Sequence, residues 1–144
     1  MGHAASVTVS ATTGTRVVWL ADPMTVTLHG LRTLIHPVAD LDAAKGWWTD
    51  YLGFPPYFDE PFFVGFNVAG YELGLLPDGD PADGALTYWG VDDVQLAMDR
   101  AIAAGATEHV AAAEVGDGIV TGTVRTPHSG IVGFIVNPHF TLPD

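Results

Sequence analysis

Hydrophobic and polar positions follow the same order twice along the chain. Residues 33–53 (TLIHPVADLDAAKGWWTDYLG) and residues 86–105 (LTYWGVDDVQLAMDRAIAAG) each begin with an apolar, strand-like run. Each continues through Val-x-Asp into an amphipathic helix and ends at a glycine, and further strand-like segments with a tight hairpin follow. A repeated supersecondary unit has apolar faces that must be buried against another unit. The pattern therefore predicts an α+β fold in which two βαβββ units form a curved mixed sheet around a cleft.

The first unit is predicted to span about residues 28–77. Residues 28–38 favour a strand, and the next helix begins at Asp40 or Asp42 and ends at Gly53, because aspartate caps helix starts and glycine ends helices. Three strands follow, at residues 57–60, 62–68 and 71–76.

The turn Ala69-Gly70 fixes the register of the last hairpin in the first unit. A two-residue turn places Asn67 opposite Glu72. One face of this hairpin is then continuously apolar and is predicted to cover the helix. The other face should line the cleft, with small residues that leave clearance beside an amide and a carboxylate: Phe63, Gly65, Asn67, Glu72, Gly74 and Leu76.

The second unit, about residues 85–140, follows a linker of turn-forming residues at 77–84. Its strand at 86–91 precedes a helix capped by Asp92 or Asp93, then a strand near 108–112 and a hairpin of 119–125 with 131–136. Thr121 and Thr123 share the face opposite Val120 and Val124, so they are the polar groups available to this half of the cleft.

Composition narrows the classes of function. The chain has 144 residues, enough for one domain with its own core. It has no cysteine, which excludes disulfides and thiolate metal sites, and its net charge of −12 argues against nucleic acid as a partner. The sequence contains neither a run of roughly 20 apolar residues nor a signal-peptide pattern, so we expect a cytoplasmic protein with no membrane partner.

Residues 1–23 fall outside the repeat and are interpreted as an N-terminal extension. Either they lie upstream of a natural start at Met24, or they form an ordinary flexible tail with a short strand at residues 16–20. Residues 24–144 then form a single domain.

Several short motifs recur in a fixed order along the chain. They are Val-x-Asp before each helix, Leu-Gly after the first helix, Gly-Ala after the second and a Thr-Pro-His-Ser-Gly hairpin. This ordered set resembles the vicinal oxygen chelate superfamily. This superfamily includes glyoxalase I, bleomycin-resistance proteins and extradiol dioxygenases. The resemblance covers residues 31–140. It implies the fold rather than one activity, because the scaffold hosts isomerases, dioxygenases, thiol transferases and non-catalytic drug-binding proteins.

The resemblance also implies four positions for metal ligands, which in this chain hold Thr33, Glu72, Leu86 and Gly133. Only Glu72 is a metal-binding residue type. One carboxylate beside an alcohol, an alkyl group and a glycine does not supply the converging N and O donors that a divalent ion needs. We therefore expect no metal and no other cofactor.

Glu72 is the candidate for chemistry. As a functional group it is a general base or an anchor for a cationic part of a ligand. The alternative is that the Glu72 carboxylate has no function and either bonds to Asn67 or lies at the hydrated rim of the cleft. His36 lies three residues from Thr33 in the same strand, so alternation puts it on the opposite face, as a packed core histidine rather than a ligand.

Aromatic residues allow two interpretations. Of the pair Trp47 and Trp48, one should pack under the sheet while the other flanks an interface. A second aromatic group clusters at the cleft mouth and consists of Tyr57, Phe58, Phe62 and Phe63. These rings either stack on a flat ligand or pack in the core or a dimer interface.

The sequence thus predicts metal-independent binding of a small, largely apolar or aromatic organic molecule, similar to sequestration by bleomycin-resistance proteins. The alternative is a lyase, isomerase or epimerase in which Glu72 moves a proton while Asn67, Thr121 or Thr123 holds an oxygen. A homodimer is expected in either case. The candidate ligand-binding residues are Thr33, Phe63, Asn67, Glu72, Leu86, Tyr88, Thr121, Thr123 and Gly133.

Overall fold

The computed structural model describes residues 5–11, 14–20 and 26–142, the first two ranges by their backbone alone. In the N-terminal extension, β1 (Ala5–Ala11) and β2 (Gly14–Leu20) pair antiparallel as a two-stranded sheet. The strand predicted at residues 16–20 falls within β2. Met24, the proposed alternative start, lies outside the described residues.

Residues 31–136 form the two predicted βαβββ units. The first consists of β3 (Leu31–Pro37), α1 (Leu41–Leu52), β4 (Phe58–Glu60), β5 (Phe63–Val68) and β6 (Tyr71–Leu76). The second consists of β7 (Leu86–Gly90), α2 (Val94–Ala103), β8 (Thr107–Gly116), β9 (Ile119–Thr126) and β10 (Gly130–Val136). A single 3₁₀ turn, Pro81–Asp83, lies in the linker. Neither helix in the described part of the chain has the length and apolar character of a membrane span.

Both units contribute to one mixed sheet of eight strands in the order β4-β5-β6-β3-β7-β10-β9-β8. Within each unit the first strand pairs in parallel with the last, β3 with β6 and β7 with β10. The antiparallel pair β3–β7 joins the units. The two units of one chain therefore form a single continuous sheet.

Both helices cover the same face of the sheet, which we call the helix face. There α1 packs on a buried cluster of Val64, Phe66 and Leu75, which is the apolar hairpin face that the sequence predicted. On the second unit α2 buries Met98 against β9 and β10. The opposite face, which carries Thr33, Glu72, Tyr88 and Gly133 and which neither helix covers, is called the open face.

Aspartates fix where the two helices begin. Asp40 accepts a hydrogen bond from the Ala43 backbone N–H at 3.0 Å, and Asp93 accepts one from Leu96 at 3.0 Å. Of the two pairs of aspartates that the sequence left open, these two are the caps. Gly53 ends α1 in the left-handed conformation, with φ of 83°.

Two strands differ by more than one residue from the extent that the sequence predicted. β3 begins at Leu31 rather than at residue 28, because Gly30 has φ of 119°, a left-handed value that interrupts a strand. β8 runs to Gly116, beyond the predicted end at 112, and three register shifts occur where it pairs with β9. Pairing with β9, rather than the local pattern of β8, sets its length.

Candidate functional site

The strand register brings six of the nine candidate residues into one row across the open face. In order along the row, these are Asn67, Glu72, Thr33, Tyr88, Gly133 and Thr123. Leu86 lies in the neighbouring row, opposite Ile35, while Thr121 lies on the other side of the row, opposite Ile135. The row crosses from one unit to the other at the β3–β7 pair.

Two hydroxyl groups hold the carboxylate of Glu72. Thr33, which is buried, donates its hydroxyl to Oε1 at 3.2 Å, and the Tyr57 hydroxyl donates to Oε2. Partial burial, together with the hydrogen bond to Glu72 and the negative charge of that carboxylate, raises the pKa of Tyr57 above the ordinary value. Tyr57 is therefore a neutral donor at physiological pH, and the two oxygens of Glu72 have fixed directions on the open face.

The glycines of the open face lie beneath aromatic rings of the same chain. A Cβ on Gly74 would come 2.5 Å from the Phe63 ring, and one on Gly133 would come 2.6 Å from the Tyr88 ring. The expectation that small residues leave clearance for a ligand is corrected here, because the space above these two glycines holds side chains from neighbouring strands. A ligand would meet these rings first.

Beside the row lies an apolar floor, formed by the buried residues Ile35, Leu86 and Ile131. Phe63, Leu76 and Tyr88 pack against it. Burial raises the pKa of the Tyr88 hydroxyl, so this tyrosine is also neutral at physiological pH. The floor lies close to Glu72 on the sheet. Thr33 pairs with Glu72, and two residues further along the same two strands Ile35 of the floor pairs with Gly74.

The polar residues at the two ends of the row have local partners. Asn67 is exposed, and its side-chain oxygen accepts a hydrogen bond from the Gly70 N–H at 2.9 Å, so it stabilises its own hairpin turn. Thr123 is buried, and its hydroxyl lies 2.8 Å from Nδ1 of His109 on β8. Thr123 is four strands from Glu72 along the sheet, so the two would contact different parts of a ligand.

The four positions implied for a metal do not form a metal site. Leu86 is packed in the apolar floor, Gly133 lies under the Tyr88 ring, and the Thr33 hydroxyl is engaged with Glu72. Across the described residues, no three His, Asp or Glu side chains converge as metal ligands would. A divalent cation would find one carboxylate here, and this donor set does not fit it.

His36 lies on the helix face, as strand alternation predicted. Its ring stacks on Trp48 with centroids 5.9 Å apart and an interplanar angle of 18°. Trp48 packs against the sheet, while Trp47 is 58% exposed. Trp48 therefore packs under the sheet as predicted, while an interface at Trp47 stays a prediction.

Sequence reasoning missed two polar contacts of the open face. It gave Tyr57 only a role in stacking on a ligand or in packing within a core or dimer. In the structure the Tyr57 N–H bonds to the Gly65 carbonyl at 3.0 Å, which brings its hydroxyl to Glu72. It gave no role to His109 on the open face. The β8–β9 register shift beside His109 brings this residue to Thr123, and no local sequence signal marks that shift.

Comparison with known proteins identifies the fold. The sequence matches no protein-family model and no curated protein. Among solved structures, a glyoxalase/bleomycin resistance protein/dioxygenase superfamily member from Vibrio splendidus 12B01 is 21% identical, with a TM-score of 0.57 over 74% of this chain and 97% of its own. The chain has the vicinal oxygen chelate fold.

Two further structures with the vicinal oxygen chelate fold differ from each other in activity. The Mn(II)-bound glyoxalase from Novosphingobium aromaticivorans is 16% identical, with a TM-score of 0.59 over 77% of this chain and 40% of its own. The methylmalonyl-CoA epimerase from Mycobacterium tuberculosis is 19% identical, with a TM-score of 0.57 over 77% of this chain and 89% of its own. At these identities the match concerns the fold, and function must be argued from the residues of this chain.

Proposed function

We propose that the open face binds a small, largely apolar or aromatic organic molecule without a metal ion, in the manner of bleomycin-resistance proteins. The observation that carries this proposal is the apolar floor of Ile35, Leu86 and Ile131 with a fixed carboxylate beside it. Small-molecule sites are mostly apolar surfaces with a few fixed polar groups. Glu72 would orient the ligand by accepting a hydrogen bond from a hydroxyl or amine, while the rings of Phe63 and Tyr88 would stack on it.

The first test is binding of a neutral aromatic probe, 2-naphthol, followed by fluorescence. Phe63→Ala removes a ring that packs on the floor and should weaken binding about tenfold, as expected when an aromatic contact of roughly 1.4 kcal/mol is lost. Phe62→Ala is the matched control, because it removes an adjacent ring that is 60% exposed. Equal affinities of the two variants, with both folded by circular dichroism, would contradict stacking on the open face.

Native mass spectrometry of the purified protein provides an independent test. A bound organic molecule with a stoichiometry of one per chain would support sequestration and would identify the ligand class. Elemental analysis on the same sample should find no stoichiometric divalent metal. One metal ion per chain that is lost in Glu72→Gln would overturn the metal-independent proposal.

A second candidate function is proton transfer by Glu72. The observation that favours it is the pair of hydroxyl donors, Thr33 and Tyr57, which fix both carboxylate oxygens on the open face. As a general base, Glu72 would take a proton from a carbon next to a carbonyl and return it to the same or a neighbouring carbon, as a lyase, isomerase or epimerase requires.

Exchange of acidic C–H protons in D₂O separates the two candidates. A panel of small 2-keto acids and acyl thioesters, followed by NMR, should show exchange that Glu72→Gln abolishes while substrate binding persists. A sequestration protein should give no exchange with any substrate of the panel. Glu72→Gln would then change affinity only for ligands that donate a hydrogen bond or carry a positive charge.

A further inference from the structure

Among the residues that the structure describes, Arg32 is a basic side chain without an acidic partner. Lys45 bonds to Asp59 at 3.1 Å, and Arg125 lies 3.5 Å from Asp83. Arg32, in contrast, has no ion pair among the described residues, and its Nη1 is buried without a hydrogen-bond acceptor. In a chain with 17 acidic residues and a net charge of −12, an unpaired arginine requires a physical explanation.

The fold holds the Arg32 guanidinium at one end of the open face. A register shift between Leu31 and Thr33 leaves Arg32 as the extra residue of β3. Its guanidinium lies over Gly90, where a Cβ would come 2.7 Å from Nε, and 4.2 Å from the centre of the Phe140 ring. Gly90 follows Tyr88 by two positions in β7, so a Cβ on Gly90 would lie on the same face of the sheet as the Tyr88 side chain.

This placement positions the charge without neutralising it. The aromatic ring attracts the cation but accepts no in-plane hydrogen bond, so the N–H groups keep their donor capacity. A buried donor on a charged group is expensive to leave unpaired. A carboxylate can accept two parallel N–H bonds from a guanidinium, so it satisfies more of these donors than a single acceptor does.

We propose that Arg32 binds the carboxylate of a small organic acid at this end of the open face. Gly90 lies about 7 Å from Tyr88 along the strand, so an aryl acid held by Arg32 would direct its ring toward Tyr88. The proposal does not depend on the function proposed above, because Arg32 contacts neither Glu72 nor the apolar floor in the described contacts.

The test is a titration with benzoate in a buffer free of other carboxylates and of phosphate, followed by the side-chain Nε–H signal of Arg32 in ¹⁵N NMR. We expect a saturable shift of that signal. Arg32→Gln should weaken binding at least about tenfold, the loss expected for a charge-assisted pair. The control Arg125→Gln removes an arginine whose side chain is 49% exposed and should leave the affinity within about twofold.

Two further variants keep the test decisive if Arg32→Gln folds poorly. Arg32→Lys keeps the charge but loses the two-pronged geometry, so it should bind benzoate more weakly than the wild type. Gly90→Ala places a methyl group against the guanidinium and should also weaken binding, with the remainder of the site unchanged. Wild-type affinity in both variants would overturn the proposal.

The remaining outcomes identify the anion. Benzamide, the neutral analogue, should not shift the Arg32 signal, and equal binding of benzamide would exclude recognition of the carboxylate. Tighter binding of inorganic phosphate than of benzoate would overturn the assignment to organic acids. Deleting residues 143 and 144 should leave benzoate affinity unchanged, whereas a tenfold gain would mean that carboxylates of the chain itself occupy Arg32.

Discussion

The contact between Tyr57 and Glu72 makes the open face sensitive to pH. Burial and the Glu72 carboxylate raise the pKa of Tyr57, so the folded state holds the phenol proton more tightly than the unfolded state. The resulting stabilisation is complete below the ordinary tyrosine pKa of about 10 and is lost as the pH rises through the higher pKa of the folded state. Because Tyr57 is 61% exposed, water screens the pair and the effect is modest.

We therefore expect the free energy of unfolding of the wild type to fall more steeply above pH 10 than that of Tyr57→Phe. Urea denaturation at a series of pH values measures both curves. Tyr51→Phe, which removes an exposed tyrosine stacked on Trp47, is the control and should follow the wild type. Parallel curves for wild type and Tyr57→Phe would show that the contact with Glu72 has no effect on stability.

At the scale of secondary structure, the N-cap of α2 provides a test of local stability. Asp93 accepts the Leu96 N–H, and α2 buries Val94, Ala97 and Met98, so loss of the cap loosens a helix that the core requires. Asp93→Ala should lower the free energy of unfolding by about 1 kcal/mol, measured by chemical denaturation.

Asp92→Ala is the matched control for this prediction. Asp92 precedes the cap and pairs with His29 at 2.9 Å, but its side chain is 87% exposed, and such pairs contribute little. The loss should therefore be smaller than for Asp93→Ala. The opposite order would mean that the exposed pair, rather than the cap, stabilises this junction.

Elements with a strong local signal were predictable from the sequence. The β5–β6 hairpin followed residue by residue from the turn Ala69-Gly70, in which both residues have positive φ, 53° and 93°. The two-residue turn is a local constraint, so the pairing of Asn67 with Glu72 needed no knowledge of the remainder of the fold.

Features that depend on the path of distant segments were not predictable. The extra residue in β3 puts Arg32 over Gly90, and the approach of Tyr57 to Glu72 depends on the segment before β4. Hydrophobic alternation identified the residues of the open face but not the rings that lie over it, because side-chain conformations depend on neighbours from other strands.

At the scale of the whole molecule, the predicted homodimer remains a proposal, and α1 is the surface on which we propose to test it. Every residue of α1 is at least partly exposed, and its outer side carries a stack of Trp47 on Tyr51 with ring centroids 5.0 Å apart. Exposed aromatic groups are enriched at interfaces between subunits.

Sedimentation velocity measures the assembly state directly. We expect a dimer for the wild type and a shift toward monomer for the double variant Trp47→Ser/Tyr51→Ser, because the aromatic contact area is lost. The control Phe62→Ser removes an exposed aromatic residue outside α1 and should remain dimeric. A monomeric wild type at high protein concentration would contradict the proposal.

The glycines under aromatic rings have a consequence for how the molecule changes over generations. Each of these glycines shares one volume with its ring, as in the pairs Gly74 with Phe63 and Gly133 with Tyr88. A mutation to alanine at 133 alone would push the Tyr88 ring out of place, so it is tolerated only when residue 88 becomes smaller. Among descendants of this chain we expect the two members of each pair to vary together, so that a new binding preference arises by paired substitutions rather than by single ones.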